Sequence, residues 1–416
     1  MISVVFFMKL LLFFWMFFSS ESIPYKIFLS HFFHRNASFV SKNRLIFACI
    51  LKNREISEEM FIDIFQNTSC QFTKKLDISW STISDGLLLS LPKTIEELSL
   101  ARVKIRSSGN IVSIQNYIKP LLARLPNLRV LDLSFHGLEN SDIDFSNFFN
   151  RSLGSKIEVF ILRNNHLDIQ AIANFAHFPE LRSLDLSDNS MVSLAEFDFQ
   201  GLLRDFYFPK LESLSLRNSG MNAIVADNEE YSAFLLSLKK LDLSDNGIRD
   251  AVLGSIFETP AVKSSELQVL NLSGNHLTGK GMRYLALLPN LTDLDLSNNL
   301  IHNFDLDGFG DSAFNKLERL KMNNNFINND VFKNFPAFSE LIALDLRDNA
   351  MDKVDHRDFI ELLRLSRLPK IKNIQLRLCR MQNSPLSLMD ASFSALNPDR
   401  GEDCFVTNVS RSLNEF

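Results

Sequence analysis

The stretch LKKLDLSDNGI, from Leu238 to Ile248, decides the fold of this chain. It has the form apolar-x-x-apolar-x-apolar-x-x-Asn-x-apolar, and the same phrase returns along most of the sequence. Clear copies also begin at Leu181, Leu267, Leu291 and Leu341, and weaker copies begin at Ile95, Leu128, Ile157, Leu211, Leu317 and Ile371. A recurrence of this kind predicts a repeat architecture, in which each unit buries its apolar side against its neighbours.

The middle of the phrase alternates as a β-strand does. Its fourth and sixth residues, Leu241 and Leu243 in the quoted copy, are apolar, and Asp242 lies between them. Successive side chains of a strand point to opposite faces, so we expect both leucines in the core and Asp242 on the outside. A strand this short is stable only beside others, which predicts one parallel sheet built from all the repeats.

From residue 95 to residue 381 the chain resembles the leucine-rich repeat family. The resemblance implies an α/β fold, a right-handed solenoid or horseshoe with a concave parallel β-sheet and a largely helical convex side. Repeat starts lie between 24 residues (157 to 181) and 33 residues (95 to 128) apart, which leaves room for a helix in each unit. The segment Gly279–Asn290 has apolar residues at helical spacing and most resembles the ribonuclease-inhibitor type of repeat. The variable spacing departs from that type and predicts some short 3₁₀ turns or irregular loops.

The ninth residue of the phrase is expected to have a structural role. An Asn amide offers two donors and an acceptor, and the family resemblance implies that it ties adjacent turns together. Four repeats depart from Asn, with Val103, His136, Ser219 and Cys379 in this position, and Val103 cannot form such bonds. The predicted structural Asn residues are Asn165, Asn189, Asn246, Asn275, Asn299, Asn325 and Asn349.

The first residues predict export. MKLLLFFWMFFSS, beginning at Met8, is a short apolar run followed by small polar residues, which is typical of a secretory signal peptide cleaved before Ile23. The alternative is an uncleaved anchor, although Lys9 interrupts the run. No later segment is apolar for long enough to span a bilayer. The predicted organisation is a signal peptide (1–22), an N-terminal cap with a degenerate first repeat (23–94), the solenoid (95–381) and a C-terminal cap (382–416).

The four cysteines fit an extracellular compartment. Cys49 and Cys70 precede the regular repeats, whereas Cys379 and Cys404 lie at their end. A solenoid holds its ends far apart, so of the three possible connectivities only the pairs Cys49–Cys70 and Cys379–Cys404 are geometrically favourable. Extracellular members of the family often have disulfides in their caps. The alternative is that these are free thiols.

Sequons for N-glycosylation predict a glycoprotein if the chain is exported. An Asn-rich repeat also creates such triplets by chance, and a glycan on Asn271 would obstruct the concave strand that carries it. The candidate positions are Asn36, Asn67, Asn150, Asn271, Asn290 and Asn408.

The outward residues of the strands form the candidate partner-binding face. The fifth and seventh positions of successive repeats make columns in which acidic and basic groups interleave, since neighbouring strands lie about 4.8 Å apart. Such a mixed face suits a protein partner. The alternative is that these groups satisfy one another, as Asp185 and Arg217 could. The candidate residues are Asp132, Arg163, Asp185, Arg217, Asp242, Asp295, Lys321, Asp345 and Arg347.

Enzymatic and nucleic-acid functions are disfavoured. The sequence has no G-x-S-x-G, phosphate-binding glycine loop or paired zinc-ligand motif, so we predict no catalytic residue, cofactor or metal. His31 and His34 have no acidic partner nearby in the sequence. The formal net charge of −5 argues against nucleic acid, which calls for a basic stripe.

Three functions remain open. The favoured one is a secreted or cell-surface, non-catalytic binding module that contacts a protein through its concave sheet. The second is a structural protein of a wall, coat or matrix. The third is a cytosolic regulator or adaptor, resembling the GTPase-activating or ubiquitin-ligase adaptor members of the family, and it requires the N-terminal signal to be false.

Overall fold

The chain builds one long sheet from short strands. The computed structural model of the protein describes residues 48–65, 72–139, 156–168, 179–190, 210–221, 238–306, 313–328, 331, 335–350, 368–379 and 404–410. Within these ranges, fourteen strands form a single sheet in which spatial order follows sequence order. Thirteen of them run parallel, and the last pairs antiparallel. The predicted leucine-rich repeat solenoid is confirmed by this arrangement.

The described strands form two separate sheets. The long sheet contains β1 (Ala48–Ile50), β3 (Lys75–Asp77), β5 (Glu97–Ser99), β8 (Val130–Asp132), β9 (Val159–Ile161), β10 (Ser183–Asp185), β11 (Ser213–Ser215), β12 (Lys240–Asp242), β13 (Val269–Asn271), β14 (Asp293–Asp295), β15 (Arg319–Lys321), β16 (Ala343–Asp345), β17 (Asn373–Cys379) and β18 (Cys404–Ser410). A second sheet of four strands contains β2 (Glu55–Ile56), β4 (Thr82–Ser84), β6 (Lys104–Ser107) and β7 (Asn110–Val112).

The described helices lie in the connections between strands. They are α1 (Glu58–Phe65), α2 (Asp85–Leu88), α3 (Gln115–Arg124), α4 (Asp250–Phe257) and α5 (Met282–Leu285), with 3₁₀ turns at Pro260–Ser264 and Gly279–Gly281. The connection Asn110–Arg124 combines a strand with a helix, and the connection from β13 to β14 has only a 3₁₀ turn and a four-residue helix. Convex segments therefore differ from repeat to repeat. No helix among the described residues is long and apolar enough to cross a membrane.

The core is formed by the fourth and sixth positions of the phrase. The register aligns Leu184 with Leu214 and Leu214 with Leu241, so each leucine stacks on its equivalent in the next repeat. The sixth residue, Leu243 in the β12 repeat, is fully buried, and its N–H donates to Asn271 of the following repeat at 2.9 Å. Two columns of apolar side chains, most of them leucine, thus run along the sheet and remove its inner side from water.

The long sheet begins before Ile95. Leu76 and Ile78, expected in strand positions of a degenerate first repeat, are buried, and β3 pairs with β5 in the register of the later repeats. β1 adds a further strand that the phrase did not predict. Its fourth position holds Cys49, which is buried and disulfide-bonded.

Several predicted features fall where side chains or whole segments are not described. The signal peptide, Cys70 and the sequons at Asn36, Asn67 and Asn150 lie outside the described residues. At the other end of the sheet, Cys379 and Cys404 are direct backbone partners in the antiparallel pair of β17 and β18. The two disulfide pairs, the domain boundaries and the glycosylation sites remain predictions.

Candidate binding surface

The fifth positions of all repeats form one column on the outer side of the long sheet. Each is a register partner of the next, from Ile50 of β1 to Gln375 of β17. Most of these residues are half-buried, because neighbouring strands cover the side-chain atoms nearest the backbone and leave the ends of the side chains accessible. Between the two ends the column contains Asp77, Ser99, Asp132, Ile161, Asp185, Ser215, Asp242, Asn271, Asp295, Lys321 and Asp345.

The aspartates of this column are held by their own strands. Oδ1 of Asp242 accepts from the backbone N–H of Ser244 at 2.9 Å and from its hydroxyl at 2.6 Å. Asp132 and Asp295 make the same pair of bonds to the serine two residues later, and Asp185 accepts from the N–H of Ser187 at 2.9 Å. One carboxylate oxygen therefore orients each side chain, and the other is directed to neighbours or solvent.

Four aspartates of the column also contact other polar groups, and Asp77 does so by pairing its Oδ2 with Lys52 at 2.8 Å. Oδ2 of Asp132 accepts from the Ser99 hydroxyl at 2.7 Å, and Oδ2 of Asp295 pairs with Lys321 at 3.0 Å. Asp345, 8% exposed, accepts from Nε and Nη2 of Arg347, at 2.9 and 2.6 Å. This carboxylate raises the pKa of Arg347.

Arg163 and Arg217 pair with the eighth position of the following repeat. Arg163 contacts Asp188 at 2.5 Å, and Arg217 contacts Asp245 at 2.9 Å. The expected contact of Arg217 with Asp185 is therefore replaced by one with Asp245, because the eighth residue turns toward the preceding repeat. Burial of Asp188 opposes its ionisation, but hydrogen bonds from Asn218 and Arg163 outweigh burial and lower the pKa of this carboxyl.

A charge ladder precedes the strands at the second position of the phrase, and the sequence analysis missed it. Lys74 pairs with Glu96 at 2.5 Å, and Arg129 binds Glu158 through two nitrogens, at 2.8 and 2.6 Å. Further along, Glu212 lies between two cations of the ladder. Read in order, its members alternate in sign, and that alternation is the signal that would have found it: Lys74, Glu96, Arg129, Glu158, Arg182, Glu212 and Lys239. Exposed pairs of this kind contribute little individually and order the rim of the surface.

Each ninth-position amide connects its own repeat to the preceding one. In Asn246, Oδ1 accepts from the N–H of Ser219 at 2.8 Å and of Met221 at 3.1 Å. Its Nδ2 donates to the carbonyl of Leu216 at 2.8 Å and to Ser244 at 3.0 Å. Amide donation to the sixth-position carbonyl of the preceding repeat recurs in Asn165, Asn189, Asn275, Asn299, Asn325 and Asn349.

Other residues make equivalent bonds where Asn is absent. The Ser219 hydroxyl lies 3.3 Å from the Leu186 carbonyl, and Nε2 of His136 lies 2.8 Å from the Leu100 carbonyl. Burial lowers the pKa of His136, which favours the neutral ring in this position. Ser81, in the repeat of β3, donates to the Leu51 carbonyl at 2.7 Å. Ser81, His136 and Ser219 thus keep the turn-to-turn connection, whereas Val103 has no side-chain group that could do so.

The eighth position has a left-handed backbone in every repeat from β1 to β16. This conformation costs about 1–2 kcal/mol for most residues and little for Gly, Asn or Asp. Nine of the twelve repeats use one of those three types, and the others use Trp80, Arg102 and Phe135. With φ between 49° and 68°, the residues are Asn53, Trp80, Arg102, Phe135, Asn164, Asp188, Asn218, Asp245, Gly274, Asn298, Asn324 and Asp348.

The three bulky residues form a cluster on consecutive repeats at the edge of the concave surface. The guanidinium carbon of Arg102 lies 4.6 Å from the centre of the Trp80 ring, and the rings of Trp80 and Phe135 are 5.8 Å apart. Trp80 is 47% exposed. The sequence contained the signal, since these are the only bulky eighth-position residues in the repeats of β1 to β16, but the phrase assigned that position no role.

The two described sequons differ in their surroundings. Asn271 is half-buried in the outward column, and its Oδ1 accepts from the N–H of Ser273 at 3.1 Å. Asn290 donates to the Ser265 carbonyl at 2.7 Å and accepts from Lys316 at 2.7 Å. A glycan is joined to Nδ2, so on Asn290 it would compete with the donation to Ser265, whereas on Asn271 it would leave the Oδ1 acceptor in place. Asn408 lies in β18, where side chains are not described.

Comparison with known proteins identifies the repeats directly. A family model described as Leucine Rich repeat matches residues 235–251 and 263–286, which include β12 and β13. The chain therefore carries leucine-rich repeats in the central part of the sheet.

Relatives match parts of the chain. A segment of 65 residues is 45% identical to acidic leucine-rich nuclear phosphoprotein 32-related protein 2 of Caenorhabditis elegans, covering 16% of this chain and 28% of that protein. Leucine-rich repeat-containing protein 56 of Rattus norvegicus is 31% identical over 196 residues, covering 42% and 33%. The chain thus spans about a third of the length of these curated relatives. An internalin structure from Listeria monocytogenes aligns with a TM-score of 0.46 at 18% identity, covering 80% of this chain and 86% of that one.

Proposed function

We propose that this chain is a secreted or cell-surface binding module, without catalytic activity, that contacts a protein partner through its concave sheet. The observation that carries the proposal is the register of the long sheet, which places one outward side chain of each repeat in a single ordered column. A rigid array of this kind loses little conformational entropy on binding, which favours recognition by a preformed surface.

The charges of the column support a protein partner over a polyanion. Acidic residues dominate its centre, at Asp185 and Asp242, and the nearby cation Arg217 is paired with Asp245. A nucleic acid would meet carboxylates on this face instead of a basic stripe. The proposed contact residues are those of the candidate face: Asp132, Arg163, Asp185, Arg217, Asp242, Asp295, Lys321, Asp345 and Arg347.

The internal pairing of this face favours a second candidate function. The aspartates bind their own strands, and Arg163 and Arg217 bind aspartates of the next repeat. A surface whose charged groups already pair with one another also suits a structural protein of a wall, coat or matrix, in which the repeat array has a mechanical role and binds no specific partner.

We expect a triple substitution at the centre of the sheet to weaken partner binding at least tenfold, or about 1.4 kcal/mol. The changes Asp185→Asn, Arg217→Ser and Asp242→Asn introduce residue types that other repeats use in the same positions, such as Asn271, so the solenoid should stay folded. Binding energy concentrates in central positions, which is why these three are chosen. The measurement is capture of partner from extracellular fluid by the immobilised chain, followed by titration of the captured protein.

The control is a charge-matched triple away from the sheet. Glu258→Gln, Lys263→Ser and Glu266→Gln also remove two carboxylates and one cation, from exposed positions between α4 and β13. Lost binding in this control, with the sheet triple unaffected, would move the site to the convex side. Insensitivity to both triples would favour the structural function.

Export is a separate expectation. N-terminal sequencing of secreted protein should begin at or near Ile23, because the apolar run ends at Phe18 and Ser20 and Ser22 occupy the small-residue positions of a cleavage site. A membrane-bound chain beginning at Met1 would indicate the anchor alternative. Recovery of intact Met1 in cytosol would remove the extracellular assignment and favour the regulator or adaptor alternative.

The type of repeat belongs to the same proposal. The helices α4 and α5, in consecutive repeats, support a likeness to the ribonuclease-inhibitor type in this part of the chain. Variable connections elsewhere, including the strand–helix segment before β8, depart from it.

A further inference from the structure

The bulky residues at the edge of the concave surface contradict the local backbone preference. Trp80, Arg102 and Phe135 have φ of 63°, 53° and 63°, in a position where the other repeats from β1 to β16 use Asn, Asp or Gly. Large residues held in the left-handed region are unfavourable, and such positions cluster at ligand-binding sites. Three consecutive repeats have this unfavourable backbone, which points to a role for the side chains themselves.

The backbone holds the cluster in a fixed position. The N–H of Trp80 donates to Ala101 at 2.8 Å, and that of Arg102 donates to Ser134 at 2.9 Å. Phe135 is fixed equivalently, by a bond of 2.9 Å to Arg163. Each eighth residue therefore continues the ladder between repeats, and its side chain projects from a rigid base. A preorganised cluster loses little conformational entropy when a partner covers it.

Arg102 determines the charge that fits the cluster. Its guanidinium carbon lies over the Trp80 ring, and within the described ranges no carboxylate forms an ion pair with it, unlike Arg163 and Arg217. The contact with the ring uses none of the guanidinium N–H donors, and a carboxylate is a group that two such donors bind together. The adjacent rings provide an apolar surface that a non-polar side chain would cover.

We propose that the Trp80–Arg102–Phe135 cluster is an anchor for an acidic segment of a protein partner, in which an Asp or Glu binds Arg102 and a neighbouring large apolar side chain packs on the two rings. Trp and Arg are the residues most enriched at such anchors. The inference rests on the proposed protein-binding function and specifies the chemistry of the partner at one end of the surface. The cluster lies on the repeats of β3, β5 and β8, separate from the centre at β10 to β12.

The test uses the full chain and a phage-displayed library of random peptides. Peptides selected on the wild-type chain are expected to contain Asp or Glu beside Leu, Ile or Phe. They should bind the triple variant Trp80→Asn, Arg102→Asn, Phe135→Asn at least tenfold more weakly. Because these changes restore residue types preferred in the left-handed region, the variant should melt at the same temperature as the wild type or higher.

A spectroscopic readout places the peptide on the cluster. Trp15 lies in the predicted signal peptide, and Trp80 is the one tryptophan of the sequence from Ile23 onward, so the fluorescence of the mature chain reports on Trp80 alone. Selected peptides should shift its emission on binding. Replacing the acidic residue of a selected peptide by its amide should weaken binding at least tenfold, and Arg102→Gln should abolish that preference.

A matched control lies near the other end of the sheet. Leu300, His302 and Phe326 form another patch at the turns that follow the strands, in which the His302 and Phe326 rings stack at 5.2 Å and Phe326 is 50% exposed. Changing these three residues to Asn should leave peptide binding unchanged. Equal losses from both triples would show non-specific apolar contact and overturn the proposal.

Other outcomes also overturn it. These are selection of basic peptides, absence of selected peptides, a clear fall in melting temperature of the cluster variant, and Trp80-dependent binding of neutral oligosaccharides in place of peptides. The proposed function fails separately. If the central sheet triple leaves partner capture intact while the cluster triple abolishes it, the cluster is supported as the anchor and the centre of the sheet is excluded as the binding site. If only the central triple abolishes capture and the selected peptides bind the cluster variant as they bind the wild type, the proposal for the cluster alone is wrong.

Discussion

Leu243→Asp is expected to unfold the central repeats, with a loss of more than about 4 kcal/mol in the free energy of unfolding. Leu243 occupies the sixth position of the β12 repeat and is 0% exposed. The leucine column continues on either side of it, in Leu216 and Leu272, both buried. An aspartate there would place an unpaired charge among apolar side chains, and a loss of this size is a large part of the stability of a typical domain.

The measurement is chemical denaturation followed by circular dichroism. The control Lys240→Asp introduces the same residue on the same repeat at an exposed, outward position, where surface substitutions change stability by about 0.5 kcal/mol or less. A Leu243→Asp protein that unfolds with the wild-type midpoint would show that the assigned register of the sheet is incorrect.

The loss of stability caused by Leu243→Asp should extend from its own repeat to the two adjacent repeats. In a repeat array each unit contacts only its neighbours, so stability is nearly a sum of unit and interface contributions. Loss of the β12 repeat removes one side of the stack from both β11 and β13, which pair with β12 in register.

The sheet was predictable because its determinants are local and repeated. The alternation of Leu241 and Leu243 specifies which side chains face inward, and the recurrence of the phrase specifies that equivalent positions stack. The observed partners Leu214, Leu241 and Leu270 follow from these two facts.

The N-terminal part was less accessible from sequence. β1 has Cys49 in the fourth position and Arg54 in the ninth, so the copy lacks both the leucine and the asparagine that mark the phrase. The structure shows why it still pairs: the N–H of Arg54 donates to the Ser81 hydroxyl at 3.1 Å, and Ser81 provides the polar connection that Asn provides elsewhere.

Side-chain partners on the concave face could not be derived from columns alone. Simple stacking pairs Arg217 with the fifth position of a neighbouring repeat, whereas the left-handed eighth residue brings Asp245 within 2.9 Å. The same backbone feature groups Trp80, Arg102 and Phe135. A pattern of inward and outward positions contains no information on how a turn directs its side chain after the strand ends.

Asn246→Ala tests the turn-to-turn connection and is expected to lower the free energy of unfolding by about 2–5 kcal/mol, since it leaves two buried N–H groups without an acceptor. These are the N–H groups of Ser219 and Met221, both in the preceding turn. The substitution also removes the donor to the Leu216 carbonyl. The affected groups lie in buried backbone where water cannot replace the amide without opening the stack.

The control is Asn315→Ala, in the exposed turn before β15, which should change stability by about 0.5 kcal/mol or less. Asn246→Asp tests the donor by itself, because its neutral carboxyl keeps an acceptor for Ser219 and Met221 and one O–H donor for Leu216, whereas its ionised carboxyl loses that donor. While the carboxyl is neutral, the denaturation midpoint should therefore be highest for the wild type, lower for Asn246→Asp and lowest for Asn246→Ala. As pH rises, the buried carboxyl ionises without a counter-charge, so the midpoint of Asn246→Asp should fall toward that of Asn246→Ala. Equal and negligible losses for Asn246→Ala and Asn315→Ala would show that the ninth-position amide does not hold adjacent repeats together.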